Sequence, residues 1–192
     1  MTKSELRKLY LERRAELSAN EVVSMSIAVA DTFFFTVNVA AIRNLHCYLP
    51  IDRFNEPDTK LIFERVWQEF PEIITSVPRI DYATGELASV VYSSTCPVVQ
   101  NKWGLSEPEG GTVLHPEAID LAVVPLLCFD ERGFRVGYGK GYYDRFLAKC
   151  KPTCLKVGLS FFPALEMIED VHEYDVPLDL CIMRDGVWRR DG

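Results

Sequence analysis

The run Ile119 to Phe129, IDLAVVPLLCF, is apolar at both alternating positions and leads directly into Gly133, Gly137, Gly139 and Gly141. A strand with apolar side chains on both faces has to be covered from both sides, as the central strand of a parallel sheet is. Glycines at the carboxyl end of such a strand let the backbone approach a ligand closely, and the N–H groups at the start of the helix that follows favour an anion. This order of elements limits the chain to a layered α/β fold whose site lies at the end of a central strand.

The flanking sequence agrees. Thr2 with Glu5, and Ser18 with Glu21, make two capping boxes, the second opening a helix through about Phe35. Leu45 to Leu49 reads as a strand, and Pro57 as the start of a helix in which Leu61, Ile62, Val66, Trp67 and Phe70 recur at helical spacing. Ile73 to Val77 and Leu87 to Tyr92 read as strands joined by a turn at Asp81 to Gly85. Gln100 to Pro116 is a polar loop rich in Gly and Pro, at the upper end of normal loop length. Tyr142 to Cys150 reads as a helix and Leu155 to Phe161 as a strand, and Asp179 to Met183 pairs with Val187 to Arg190 across an Asp185-Gly186 turn. The pattern predicts a three-layer α/β/α fold with a mixed, largely parallel central sheet. No repeat or linker divides the 192 residues, so a single domain over 1–192 is expected.

Composition narrows the function. With Lys+Arg 21 against Asp+Glu 28, the net charge of -7 argues against a surface devoted to nucleic acid or an anionic membrane. The start, MTKSELRKLYLERR, lacks the apolar core of a signal sequence, and no run is long enough to span a bilayer, so a cytoplasmic protein is expected. The six cysteines are scattered without a C-x-x-C pair and read as reduced thiols; Cys150 and Cys154, at helical spacing, lack a second pair of ligands for zinc.

The glycine segment FDERGFRVGYGKGYYDRFL matches neither standard nucleotide loop. Gly141 follows Lys140 where Walker A needs Ser or Thr, and Tyr142 stands where the dinucleotide fingerprint needs its last glycine. A tight connection whose glycines serve turns alone, with Tyr142 and Tyr143 packed in the core, is one reading. The other is a phosphate site: Arg135, Lys140 and Arg145 interleave with the glycines and repel one another unless an anion joins them, and Asp144 can hold a divalent cation. On the first helix, Lys3, Arg7 and Arg14 fall within about 40° of one another. That row is either a solvated face or a second phosphate clamp.

Several separated motifs together resemble the 5-formyltetrahydrofolate cyclo-ligase (methenyltetrahydrofolate synthetase) family over nearly the whole chain. They are K-x-x-x-R (Lys3, Arg7), an acidic segment Glu56-Pro57-Asp58-Thr59, the pair Pro78-Arg79, and a loop Gly104-Leu105-Ser106-Glu107-Pro108. The most specific is the block from Asp120-x-x-x-x-Pro125 through Phe129 to Arg145, and His172 to Asp179 looks like the family's closing acidic segment. The resemblance implies a small-molecule reaction: ATP and 5-formyltetrahydrofolate give 5,10-methenyltetrahydrofolate, ADP and phosphate with Mg2+. A monomer that acts on neither nucleic acid nor membrane is expected. Carried over position by position, Lys3, Arg7, Arg135, Gly137, Gly139, Lys140, Gly141, Tyr142 and Tyr143 would bind ATP. Leu49, Glu56, Trp103 and Tyr142 would face the folate, Asp144 and Asp175 would hold magnesium, and Lys140, Tyr142 and Arg145 would act at the transfer step. Other classes that suit a layered fold with a glycine anion loop are a sugar-phosphate isomerase, a CoA-transferase-like enzyme and a non-catalytic nucleotide-sensing protein.

Overall fold

The structure, a computed structural model, describes residues 1–81, 83–100 and 106–190. Two helices come first, α1 (Lys3–Ala15) and α2 (Ala19–Thr36), and both capping boxes form: Thr2 and Ser18 each accept from the backbone N–H of the Glu three residues on, whose side chain reaches back. After β1 (Asn44–Cys47), the helix expected at Pro57 begins later, as α3 (Lys60–Glu69). Residues 57–59 are held out of it, because Thr59 Oγ1 donates to Tyr48 O at 2.6 Å and Asp58 N donates to Ser26 Oγ at 3.0 Å.

Next come β2 (Ile74–Asp81) and β3 (Glu86–Val91). The long loop expected at 100–116 is partly ordered into strands: β4 (Val98–Gln100) pairs with β5 (Ser106–Pro108), and β6 (Val113–Leu114) adds to the sheet edge. The remaining elements are β7 (Leu121–Val124), β8 (Cys128–Phe129), β9 (Arg135–Val136), α4 (Tyr142–Leu147), β10 (Leu155–Ser160), β11 (Leu180–Met183) and β12 (Gly186–Arg189).

Eight strands form one sheet in the order β12-β11-β10-β7-β1-β2-β3-β6. The five from β11 to β2 are parallel to their neighbours, and antiparallel strands close both edges. β7 lies at the centre with every residue buried, Leu121 and Val123 packing with Phe33 and Phe63 of α2 and α3, Ala122 and Val124 with Phe146 and Leu147 of α4. Helices therefore cover both faces, as the two-sided apolar run requires.

That run is not one strand. Pro125 has no N–H for the ladder, the pairing stops at Val124, and the chain turns into the β8–β9 hairpin, a separate two-stranded sheet. α1 packs on this hairpin through Leu6 and Tyr10, against Leu127, Cys128 and Val136. The α4 helix is shorter than expected because Lys149 N and Cys150 N bond to carbonyls three residues back, tightening the chain out of the helix. In the last hairpin Met183 pairs with Gly186, so Arg184 and Asp185 are the turn residues, one position earlier than predicted.

Candidate active site

The hairpin that interrupts the central strand is braced by one buried carboxylate. Asp130, 0% exposed, accepts from the backbone N–H groups of Arg132, Phe134 and Ile168 and from the Arg132 guanidinium. The turn needs Gly133, whose φ is +85° and where a Cβ would meet Trp188 at 2.6 Å and Leu178 O at 2.8 Å. The hairpin delivers Arg135 to the end of the sheet, and the glycine loop follows at once.

Four pieces of chain meet at that loop. From α1, Arg7 Nε donates to Gly137 O at 2.9 Å, and its guanidinium lies against Gly139, where a Cβ would stand 3.1 Å from Arg7 Cζ. Gly139, with φ +88°, thus provides both the left-handed backbone and the room for Arg7. Lys3, one turn earlier, pairs with Asp175, and Lys3 N donates to Asp170 at 2.6 Å. From the hairpin, Arg135 Nη2 bonds Asp144 Oδ1 at 2.9 Å while Nη1 donates to Val176 O; Val176 N returns a bond to the same Asp144 oxygen at 3.1 Å. From the 48–56 segment comes Glu56, 4% exposed, which accepts from Tyr138 Oη at 2.6 Å and from Ile51 N at 2.7 Å.

The electrostatics follow from these contacts. Burial raises the Glu56 pKa, opposed by the positive charge of Arg14 and by the Tyr138 and Ile51 donors. Burial also raises Tyr138, with the Glu56 charge adding to it, so the phenol stays a donor. Burial pushes Asp175 upward, but the His172 N–H and Lys3 outweigh it and its pKa is lowered.

The structure brings Lys3, Arg7, Arg135, Gly137, Gly139, Asp144, Asp175 and Glu56 into this network. Lys140 is exposed at the loop tip, and its Nζ has no acceptor among the described residues. Arg145 faces the β2–β3 turn, donating to Gly85 O at 2.8 Å and to Lys140 O at 3.2 Å, with Tyr142 under its guanidinium. Tyr143 turns inward and bridges both core clusters, its hydroxyl 3.4 Å from His46 Nε2. Leu49 is half-buried against the α2/α3 core. Trp103 lies outside the described residues. An open groove lined by Glu86, Ser89, Leu114, His115, Lys149 and Lys151 shares none of the network's residues.

Two features escaped the sequence reading. Tyr138 links the glycine loop to Glu56; its signal was an aromatic residue held between two glycines. Arg14 leaves the Lys3–Arg7 row and joins the buried stripe Leu6, Tyr10, Arg14. The four-residue spacing of that stripe was the available signal, masked by the charge of the last member.

A largely parallel α/β sheet here carries a cation-lined glycine loop beside a central strand, with a buried carboxylate one hydrogen bond away. The chain matches the 5-formyltetrahydrofolate cyclo-ligase family over residues 1–183 and belongs to it. It is 28% identical over 181 residues to the 5-formyltetrahydrofolate cyclo-ligase of Mycoplasma genitalium, covering 93% of this chain and 97% of that one. To the Escherichia coli K12 enzyme of the same name it is 27% identical over 184 residues, covering 92% and 97%. The solved structure of Aquifex aeolicus 5,10-methenyltetrahydrofolate synthetase superposes with a TM-score of 0.84 at 32% identity, over 100% of this chain and 95% of that one. The Mycoplasma pneumoniae synthetase gives 0.76 at 26%, over 96% and 99%.

Proposed function

We propose that the network binds ATP and 5-formyltetrahydrofolate side by side and closes the folate ring at the cost of the ATP γ-phosphoryl group. The observation that carries this reading is the Tyr138–Glu56 hydrogen bond of 2.6 Å, which sets the cation-lined loop and a buried carboxylate next to each other. Arg7 and Arg135, with the 137–141 backbone, take the triphosphate, and Lys3 reaches it from the first turn of α1. Lys140, the loop cation without an acceptor among the described residues, is free to follow the transferred phosphoryl group. Glu56 and Leu49 face the folate, with Tyr142 between the two substrates.

A formyl oxygen on nitrogen is a poor leaving group. Transfer of the γ-phosphoryl to it releases ADP and makes it a phosphate ester of an iminium; N10 then attacks the formyl carbon, loses its proton, and phosphate departs. Positioning and charge neutralisation account for catalysis of such a transfer, so no protein nucleophile is required.

Magnesium fits the acids present. Asp144 and Asp175 are drawn together by the Val176 N bond to Asp144, and each has one carboxylate oxygen outside the hydrogen bonds described above. Among the described residues no three His, Cys, Asp or Glu side chains form a cage, which suits an ion held by one or two carboxylates plus substrate phosphates. Such an ion would supply positive charge to the phosphate oxygens.

The test is formation of methenyl product, followed by absorbance, with purified protein, ATP, magnesium and 5-formyltetrahydrofolate. Product that depends on ATP supports the reading. Folded protein that binds ATP and forms no product would instead be a nucleotide sensor, and turnover of a sugar phosphate or a CoA ester without ATP would replace the reading altogether.

A further inference from the structure

Arg14 is 1% exposed, yet only Nη2 of its guanidinium is used, donating to Leu126 O; Nε and Nη1 are the only buried side-chain polar atoms without a partner among the described residues. A charged group taken out of water with donors unmet is costly, and a structural staple to Leu126 needs only one of them. The surroundings show what the others serve. Asn55 Nδ2 donates to Arg14 O at 2.7 Å, fixing the segment that carries Glu56 against the end of α1. The Arg14 charge bears on both Glu56 and Tyr138, and its side chain also acts on the Tyr138 hydroxyl as a donor, while Nε and Nη1 keep no well-formed hydrogen bond. A buried cation with free donors thus shares a site with a buried carboxylate.

An anionic phosphate does not suit this place, because Glu56 would repel it, and Arg7 and Lys3 are already engaged with Gly137 O and Asp175. A neutral ring that offers N–H donors next to a carbonyl oxygen suits it well. We propose that Arg14 is a specificity-determining residue that holds the carbonyl oxygen of the folate's pyrimidinone ring, while Glu56 takes the adjacent ring and amino N–H groups. This rests on the reading of Glu56 as the folate-facing carboxylate.

Tyr138 then has a defined part. Its hydroxyl occupies the Glu56 oxygen that a ring N–H would use, and its ring stacks on Phe54 at 5.1 Å between centroids. Flanked by Gly137 and Gly139, it can turn aside when a substrate donor replaces its own. The exchange keeps every Glu56 acceptor satisfied and brings the ring carbonyl to the unmet donors of Arg14.

The experiment compares binding of 5-formyltetrahydrofolate and its 4-thioxo analogue by calorimetry. The analogue keeps the N–H donors and replaces the oxygen by a weak acceptor. Wild-type protein is expected to bind it about ten- to a hundredfold more weakly, the worth of a hydrogen bond to a charged group. Arg14→Met is expected to bind the two alike, with ATP affinity unchanged. Equal binding by the wild type overturns the proposal, as does preserved discrimination in a folded Arg14→Met. The wild-type comparison needs no variant and stands if Arg14→Met fails to fold. A wild type that binds ATP but neither folate overturns the folate reading itself, and the proposal with it.

Discussion

Arg135 Nη2 and Asp144 Oδ1 meet at 2.9 Å, and the same carboxylate oxygen accepts the backbone N–H of Val176. One acid thus ties the β8–β9 hairpin, the first turn of α4 and the closing acidic segment into a single unit. Asp175, next in chain to Val176, holds Lys3 in the same way. Two of the cations proposed to meet phosphate, Lys3 and Arg135, are thus paired with the two acids proposed to hold magnesium. ATP carrying magnesium can satisfy both partners of each pair at once, whereas the metal or the nucleotide alone leaves a charge without its partner.

Asp144→Asn tests this exchange. The amide still accepts a hydrogen bond but carries no charge, so it weakens magnesium without collapsing the loop. The magnesium concentration for half-maximal turnover should rise by at least about ten- to a hundredfold, the loss typical when even a group supporting a metal ligand is altered. An unchanged magnesium titration would remove Asp144 from the metal site.

Arg7 is held by Gly137 O and packs on Gly139, so it shapes the loop as well as presenting charge. Arg7→Ala should raise KM for ATP by about tenfold or more, since a hydrogen-bonded charge is lost, and leave KM for 5-formyltetrahydrofolate within a few-fold. A rise confined to the folate KM would place Arg7 on the other substrate.

Lys140 and Arg145 are expected to separate in their effects. Lys140 Nζ has no acceptor among the described residues, so Lys140→Ala should lose turnover at unchanged stability. Arg145 anchors α4 to Gly85 O, and Arg145→Ala should also lose stability, by about 1 kcal/mol for exposed hydrogen bonds. Thermal unfolding beside the rate assay distinguishes them; normal turnover in Lys140→Ala would dismiss it from the transfer step.

Gly133 lies outside the ligand network but sets the hairpin turn. An alanine there must hold φ near +85° and place its Cβ against the Leu178 carbonyl and the Trp188 ring. The backbone atom cannot be pushed aside as a flexible side chain can. Gly133→Ala should cost about 2–4 kcal/mol, read by denaturant unfolding. A loss under half of that would mean the hairpin shifts freely.

The layers were legible because β7 shows its burial directly: four residues, alternately facing two helical layers, leave an apolar run with no polar position. Local chemistry placed the capping boxes as well. What stayed hidden was non-local. The run Ile119 to Phe129 read as one strand, whereas Pro125, with no N–H to give, ends the ladder and starts the hairpin that aims Arg135. Lys3 and Arg7 were visible as a row, but only the packing of α1 on the hairpin shows that Arg14 belongs with Leu6 and Tyr10 inside. The pairing of Tyr138 with Glu56 spans 82 residues of chain, and no local pattern encodes it.

His46 gives a pH signature separate from the ligand network. It is 0% exposed on β1, and a chain of hydrogen bonds fixes its tautomer: Ser76 Oγ donates to Leu45 O, Ser89 Oγ donates to Ser76 Oγ at 2.8 Å, and Ser89 therefore accepts from His46 Nδ1 at 2.9 Å. Nε2 is left as the acceptor facing the Tyr143 hydroxyl. Burial lowers the imidazole pKa from 6.5 to about 3. As pH falls below 6.5 the unfolded chain binds a proton that the folded protein refuses, so stability from this residue is full above that value and is lost progressively down to about 3. The slope of a one-proton difference is about 1.4 kcal/mol per pH unit. His46→Gln, which has no proton to take up, should be less stable than wild type at pH 7, and the gap should narrow as pH falls from 6.5. Unfolding profiles that run parallel from pH 7 to 4 would mean that His46 is not held neutral in the core.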